Sequence, residues 1–377
     1  MGFGDFLGNE RIVAALKGML RGGRVPNALL FSGPRGIGKY TLALMFAQAA
    51  NCERQKDDFC GECATCLRIA KLADTGPLIE QGLAERGESA DAATVERMPL
   101  ILQTHPDVWA LVPDPVRRLT PVARPMIRMG QLRAVQRAAY FQPTARLRIF
   151  ILDGADTMRW MDAHAFLKIL EEPPETATLI LLAAKPDALL PTIRSRCLQF
   201  HFAPVAEEAV EKFLKARTDW KAEDRKLAAR LSSGCPGAAL GIEIAESKRL
   251  RKEVLRLVEL SMAGERFREI FQLTAQLAKS EKESFENILD VFYSLLTDVL
   301  ELTHGPKSAV LRNPDLRREL EALGERASFA WVSSATEALD QIERRLRRNI
   351  GRQLGLDAIA VSLRAHPETD PGSELAR

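Results

Sequence analysis

A parallel α/β sheet flanked by helices, followed by a small helical region and a larger all-helical one, is predicted by three features of the sequence. Strand-length apolar runs at 29–32, 108–112, 148–153, 177–184 and 198–202 alternate with helix-period segments, the pattern of strands joined by helical crossovers. The first run leads without a break into Gly33-Pro34-Arg35-Gly36-Ile37-Gly38-Lys39 and then into a helix pattern through Leu42, Leu44, Phe46 and Ala47. Beyond Pro204 the strand signal stops and amphipathic helices take over. The expected domains are 1–203, 204–248 and 249–365, with a disordered tail over 366–377.

Residues 5–22 place Phe6, Ile12, Leu16, Met19 and Leu20 at helical spacing, and Gly22-Gly23 ends this leader helix. Strand, loop and helix then agree on a phosphate-binding loop. Gly33, Gly36 and Gly38, with Pro34 between them, let successive backbone N–H groups turn inward. The following helix adds its N-terminal partial charge, and Lys39 supplies a cation for outer phosphates. One position departs from the motif. Where Ser or Thr would ligate the magnesium of a bound nucleotide stands Tyr40, and Thr41, one residue on, points about 100° away. The loop is expected to hold ATP or ADP weakly, to hold it without ordinary metal chemistry, or to keep its shape for packing alone.

The helix runs to about Asn51 and is followed by Cys52, Cys60, Cys63 and Cys66, a C-x7-C-x2-C-x2-C spacing with Gly61 easing the turn. Four thiolates so spaced predict a closed tetrahedral zinc site, structural because no coordination position is left for water. Cys197 and Cys235 stand in apolar surroundings and read as buried hydrophobes. Residues 73–104, with six acids against two bases, read as an inserted helical excursion, and HPDVWALVP at 105–113 as a strand with Val108, Ala110 and Val112 alternating. From Arg117 to Arg148 there are eight arginines and no acid, a stretch suited to a phosphate backbone, a protein surface or solvent.

The run RIFILD at 148–153 ends in Asp153, whose carboxylate at the sheet's C-terminal edge can hold the water shell of magnesium. A glutamate to polarise attacking water would come next, and the chain has Gly154. A helix is expected from about Asp156 with Met161, Ala165, Leu167 and Leu170 in register, halted by Glu171-Glu172-Pro173-Pro174. The next strand ends in Ala183-Ala184, offering methyl groups where a phosphate-sensing side chain would stand. After the strand 198–202, short helices around Val210, Phe213 and Leu214 and over 227–231 flank a Gly234-Cys235-Pro236-Gly237 break. Phe285, Ile288, Leu289, Phe292, Leu295, Leu296 and Val299 form one apolar stripe, and Leu339, Ile342, Leu346, Ile350 and Leu354 another. Both read as bundle core, and oligomer contacts are expected to concentrate on them.

With 377 residues, two or three domains are expected. Hydrophobic residues at 46% and charged ones at 27% are those of a soluble globular protein, and a net charge of +3 argues neither for nor against nucleic acid. MGFGDFLGNE lacks a cationic start and an apolar core, no apolar run reaches a membrane-spanning length, and four of six cysteines crowd into 52–66. A cytoplasmic, reducing location without a membrane partner is the expectation.

The phosphate loop, the four-cysteine insertion after its helix, HPD at 105–107, LEEPP at 170–174 and Ser195-Arg196-Cys197 occur in that order over residues 5–203. Together they resemble the clamp-loader subunits of bacterial replicative DNA polymerase III, a family of the AAA+ class. RNIGRQLGLDAI at 348–359 is similar to that family's last helix. The resemblance implies a RecA-like AAA+ domain, a helical lid and a helical collar for pentamer assembly. It implies that Arg196 acts in trans as an arginine finger on ATP bound in a neighbouring subunit, and that Gly237 stands where a loader ATPase has a second sensing arginine. Tyr40, Gly154, Ala184 and Gly237 each remove a different catalytic part. The expectation is therefore a stator-like subunit without ATP hydrolysis of its own, set beside gamma or tau ATPase subunits and a delta subunit in a hetero-pentamer that loads the sliding clamp onto primed DNA. Rival readings are a gamma- or tau-like ATPase motor and a stand-alone DNA-binding module built on the arginine stretch.

Overall fold

The apolar runs at 28–32, 148–153 and 177–183 become strands because a helical layer covers each of their faces, whereas 198–201 is a largely exposed strand at the sheet edge. In the computed structural model, which describes residues 2–87, 90–115, 125–264, 266–280, 284–305, 309–346 and 351–364, six strands form one sheet. They are β1 (Ala28–Ser32), β2 (Leu102–His105), β3 (Val108–Leu111), β4 (Arg148–Asp153), β5 (Ala177–Ala183) and β6 (Leu198–His201), in the order β2-β3-β4-β5-β1-β6. All neighbours are parallel except β2 and β3. The described residues divide into two compact units, one within Met1–Asp219 and Ser232–Leu240, the other within Trp220–Leu231 and Gly241–Arg377.

In the first unit, α1 (Glu10–Gly22), α2 (Lys39–Asn51) and α3 (Ala64–Ala70) cover one face of the sheet. Leu16, Leu42 and Phe46 pack there against Leu29, Phe31, Ile149, Ile151, Ile180 and Leu182. α4 (Thr75–Arg86) and α5 (Ala92–Arg97) follow, then α6 (Met129–Ala139), α7 (Trp160–Glu171) and α8 (Pro191–Arg194) on the opposite face, against Leu30, Phe150, Leu152, Leu179 and Leu181. Consecutive strand residues thus point into two different cores, which is why β4 and β5 read as unbroken apolar runs.

The insertion is helical as expected, but it ends in β2, a strand too short and too mixed in burial to be read from its four residues. Only Pro106 and Asp107 separate β2 from β3, so the pair is antiparallel; a parallel crossover needs about a dozen residues. The HPD segment makes this corner rigid. Asp107 accepts from the Thr144 N–H at 2.9 Å, the Thr144 hydroxyl at 2.7 Å, the Ala145 N–H at 2.7 Å and Arg148 Nη2 at 2.8 Å. His105 Nδ1 accepts from the Asp107 N–H at 3.1 Å. α7 starts at Trp160, after a single turn at Ala155–Thr157, rather than at Asp156. Its buried stripe is Ala163, Phe166, Ile169 and Leu170, while Met161, expected in register, is 77% exposed.

The region 204–248 does not behave as one piece. α9 (Glu207–Lys215) and α11 (Pro236–Leu240) belong to the sheet unit, whereas α10 (Ala222–Leu231) belongs to the helical unit. The boundary drawn at 248/249 lies inside α12 (Ile244–Ala263). The helical unit continues with α13 (Phe267–Lys279), α14 (Phe285–His304), α15 (Arg317–Gly324), α16 (Phe329–Leu346) and α17 (Arg352–Ser362).

The stripe on α14 is buried throughout, within its own unit, so it is core and not a surface on which oligomer contacts concentrate. The second stripe is not continuous. Leu339 and Ile342 are buried, Ile350 lies outside the described residues, and Leu354, on α17, is 66% exposed. Arg251, buried on α12, makes two bonds to Asp315 at 2.7 and 2.8 Å and one to Asn313 at 3.1 Å, tying the 313–315 turn to the bundle. The expected tail, 366–377, lies outside the described residues. No helix among the described residues is long and apolar enough to cross a membrane.

Candidate functional site

At the C-terminal edge of the sheet the phosphate loop opens into a cavity of about 410 Å³ lined by Arg35, Gly36, Gly38, Lys39, Tyr40, Thr41, Asp153 and the flanking Asp156 and Thr157. Gly33 and Pro34 do not line it. Their carbonyls hold Lys39 instead, accepting from Nζ at 2.6 and 2.8 Å. Burial lowers the Lys39 pKa, with Asp153 and Asp156 opposing. Burial raises that of Asp153, with Lys39 opposing. Each thus offsets in part the cost of burying the other's charge.

The four departures from a motor also lie at this cavity, and packing holds each in place. Tyr40 turns its hydroxyl away to donate to the Leu72 carbonyl at 2.8 Å, so it offers a cation nothing. Gly154 sits at φ 72°, and a Cβ there would meet Pro113 Cγ at 2.9 Å. Gly237, at the start of α11, donates its N–H to the Gly36 carbonyl at 2.8 Å. A Cβ at Gly237 would stand 2.9 Å from that same oxygen. Ala184 contributes only backbone: its N–H and that of Lys185 donate to Asp156 at 3.2 and 2.9 Å. Asp156 and Thr157 are cavity residues that sequence reading passed over as site residues. For Asp156 the signal was its place three residues after Asp153, at the start of the expected helix.

A second constellation lies beside the end of α2. The Sγ atoms of Cys52, Cys60, Cys63 and Cys66 all fall within 4.8 Å of one another. Backbone N–H groups of Glu62 and Cys63 point at Cys60 Sγ, at 3.5 and 3.3 Å, and that of Cys66 points at Cys63 Sγ at 3.4 Å. The Glu62 and Cys63 donors, Glu62 first, bring the pKa of the Cys60 thiol down to about 6. Four converging sulfurs with N–H groups aimed at them fit a metal ion bound by thiolates, and no fifth donor is needed. Cys197 and Cys235 are buried and apart from this cluster.

Arg196 belongs to neither constellation. It precedes β6, which pairs in parallel with β1 from Leu29↔Leu198 to Ser32↔His201. The arginine is thus at the N-terminal edge of the sheet, and the phosphate loop, after Ser32, is at the opposite edge. Strand length alone separates them by more than about 10 Å. Its guanidinium contacts Glu171 at 2.9 Å and the Thr192 carbonyl at 2.9 Å, with 36% of the side chain exposed. Of the arginine stretch, Arg117, Arg118 and Arg124 lie outside the described residues, while Arg133, Arg137 and Arg146 are exposed. Arg148 leaves the group, because it is buried against Asp107 at 2.8 Å.

A family model described as "DNA polymerase III, delta subunit" matches residues 8–206, more than half of the chain. The chain belongs to the DNA polymerase III delta subunit family. A second delta-subunit model, for the C-terminal part, matches residues 245–361. This delta-family chain is 28% identical over 363 residues to the DNA polymerase III subunit delta' of Pseudomonas aeruginosa, covering 92% of this chain and 94% of that one. It is 29% identical over 215 residues to the DNA polymerase III subunit gamma of Buchnera aphidicola, with 56% of this chain and 48% of the relative covered. The chain spans about half or less of the length of the gamma and gamma/tau relatives it matches. Among solved structures, a gamma subunit-related protein of Thermotoga maritima aligns with a TM-score of 0.47 at 17% identity, over 93% of this chain and 98% of that one.

Proposed function

We propose that this protein is a delta'-type clamp-loader subunit of the bacterial DNA polymerase III holoenzyme, an AAA+ protein that does not hydrolyse ATP itself. It donates Arg196 in trans to the ATP site of a neighbouring gamma or tau subunit. In this reading it joins those ATPase subunits and a delta subunit in a hetero-pentamer that opens the sliding clamp for primed DNA. The observation that carries the reading is the placement of Arg196, exposed at the sheet edge opposite the chain's own phosphate loop. A cation there cannot serve the pocket of its own chain, whereas a site completed by an adjoining subunit can use it to stabilise charge on a transferring phosphate.

The chain's own pocket keeps what binds phosphate, namely Gly36, Gly38, Lys39 and Asp153, with Gly33 and Pro34 holding Lys39 from behind, and lacks what cleaves it. ATP or ADP can therefore occupy the pocket without turnover. Cys52, Cys60, Cys63 and Cys66 hold structural zinc, which supplies a fixed fourfold link between chain segments and no reactive position. The near full-length match to a delta' subunit favours this role over a gamma- or tau-like motor, whose relatives match only in part.

The test is reconstitution with the ATPase subunits, clamp and primed DNA. Arg196→Ala is expected to remove most of the hydrolysis at the adjacent site, where an arginine finger is worth roughly 10³-fold or more, and to leave assembly intact. Unchanged hydrolysis would refute the trans role. Brisk turnover by the isolated chain, lost on Lys39→Ala, would establish the motor instead.

A further inference from the structure

Arg196 is held from two directions by different elements. Glu171, the last residue of α7, contacts Nη2 through Oε1 at 2.9 Å. The Thr192 carbonyl, in α8, accepts from Nη1 at 2.9 Å. Both ends of the fork are thus engaged while other N–H donors of the guanidinium are unused. The side chains of Arg196 and Glu171 are 36% and 50% exposed, so the pair lies open to water. Open ion pairs add little to fold stability, and the effect of this one must be sought in geometry. An unrestrained arginine samples many rotamers and must be ordered when charge develops on the phosphate. One already fixed needs no such ordering.

We propose that Glu171 is a positioning residue for Arg196: the carboxylate at the end of α7 holds the guanidinium in the orientation in which it is presented to the neighbouring ATP. The holder is itself firmly placed. Pro173 and Pro174 end the helix just beyond it, and the Tyr140 hydroxyl donates to the Glu172 carbonyl at 3.2 Å. Glu171 touches no phosphate in this scheme and acts only through the arginine. The proposal rests on the trans role of Arg196, and its test separates the two.

Full-length protein is reconstituted with the ATPase subunits, clamp and primed DNA, and stimulated ATP hydrolysis is followed with ATP concentration varied. Glu171→Ala is expected to lower kcat about threefold to tenfold, as misplacement of a catalytic cation does, with KM and assembly unchanged. Glu171→Gln, which keeps an oxygen acceptor at that place, should retain most of the activity. On an Arg196→Ala background Glu171→Ala should cost nothing further. Should the alanine variant fail to assemble, Glu171→Asp, which withdraws the carboxylate by one methylene, carries the same expected loss. A normal or faster kcat for Glu171→Ala beside an impaired Arg196→Ala would overturn the positioning role, as would a loss that persists without Arg196. Full hydrolysis by Arg196→Ala would remove the trans role and the positioning role with it.

Discussion

Gly154 adopts a φ of 72°, which costs a residue with a side chain about 1–2 kcal/mol, and Pro113 crowds the place where a Cβ would go. Restoring the missing base by Gly154→Glu should therefore destabilise the protein by about 1–3 kcal/mol and yield no ATP turnover, checked by thermal melting and a hydrolysis assay. A gain of turnover would mean that the backbone yields. Asp107 makes a pH prediction. Burial acts to raise its pKa, but Arg148, Thr144 and Ala145 together hold the carboxyl below the usual range. The stability it contributes is full above about pH 4 and is lost as pH falls through the depressed folded value. His105 adds to this from higher pH, since burial lowers its pKa and the unfolded chain takes up a proton first, below about pH 6.5. Asp107→Asn should cost about 3–5 kcal/mol at neutral pH and flatten the acid limb of a plot of Tm against pH. An unaltered acid limb would count against Asp107 as its source.

The cysteine segment acts as a brace between helices. Asp58 accepts from the Phe3 N–H at 3.0 Å and from Lys17 of α1 at 3.0 Å, and Asp57 pairs with Arg21 of the same helix. On the other side Gln48 of α2 donates to the Cys66 carbonyl at 3.0 Å, and Tyr40, at the start of α2, reaches Leu72. In protein loaded with the proposed zinc, chelation should therefore lower Tm and speed amide exchange in α1 and in the first turns of α2, read by exchange mass spectrometry. Tyr40→Phe should loosen the start of α2 even with metal bound. Equal protection with and without chelator, in protein shown to contain zinc, would refute the brace. The four-cysteine spacing was legible in the chain because metal ligation is local, but the reach of the segment to α1 and α2 was not. Those contacts join residues some 18 to 55 apart through groups common on any surface. β2 escaped reading for a related reason: four residues of mixed polarity become a strand only when β3 is alongside.

Across the molecule, two kinds of core are built differently. The sheet unit is layered around parallel strands, while the helical unit relies on the buried α14 stripe and on Arg251, whose bonds to Asp315 and Asn313 secure the 313–315 turn. Arg251→Ala removes those bonds and leaves the polar turn against a cavity. It should destabilise the helical unit by about 3 kcal/mol, with exchange rising in α12 and α14 while β4 and β5 stay protected. A rise spread evenly over both units would contradict their independence.

Five of the six strands, the phosphate-loop sequence between β1 and α2, the four-cysteine cluster and the residues Tyr40, Gly154, Ala184 and Gly237 were determined by the sequence alone. Each depends on residue type at short spacing, where periodicity and local chemistry act. Tertiary structure decided the rest: that Asp107 is a structural hub, that Arg148 is buried, that Gly154 and Gly237 sit where a side chain would collide, and that Arg196 faces away from its own pocket beside Glu171. These are properties of distance between segments remote in the chain. No local pattern encodes them, because it is the closing of the sheet that brings the partners together.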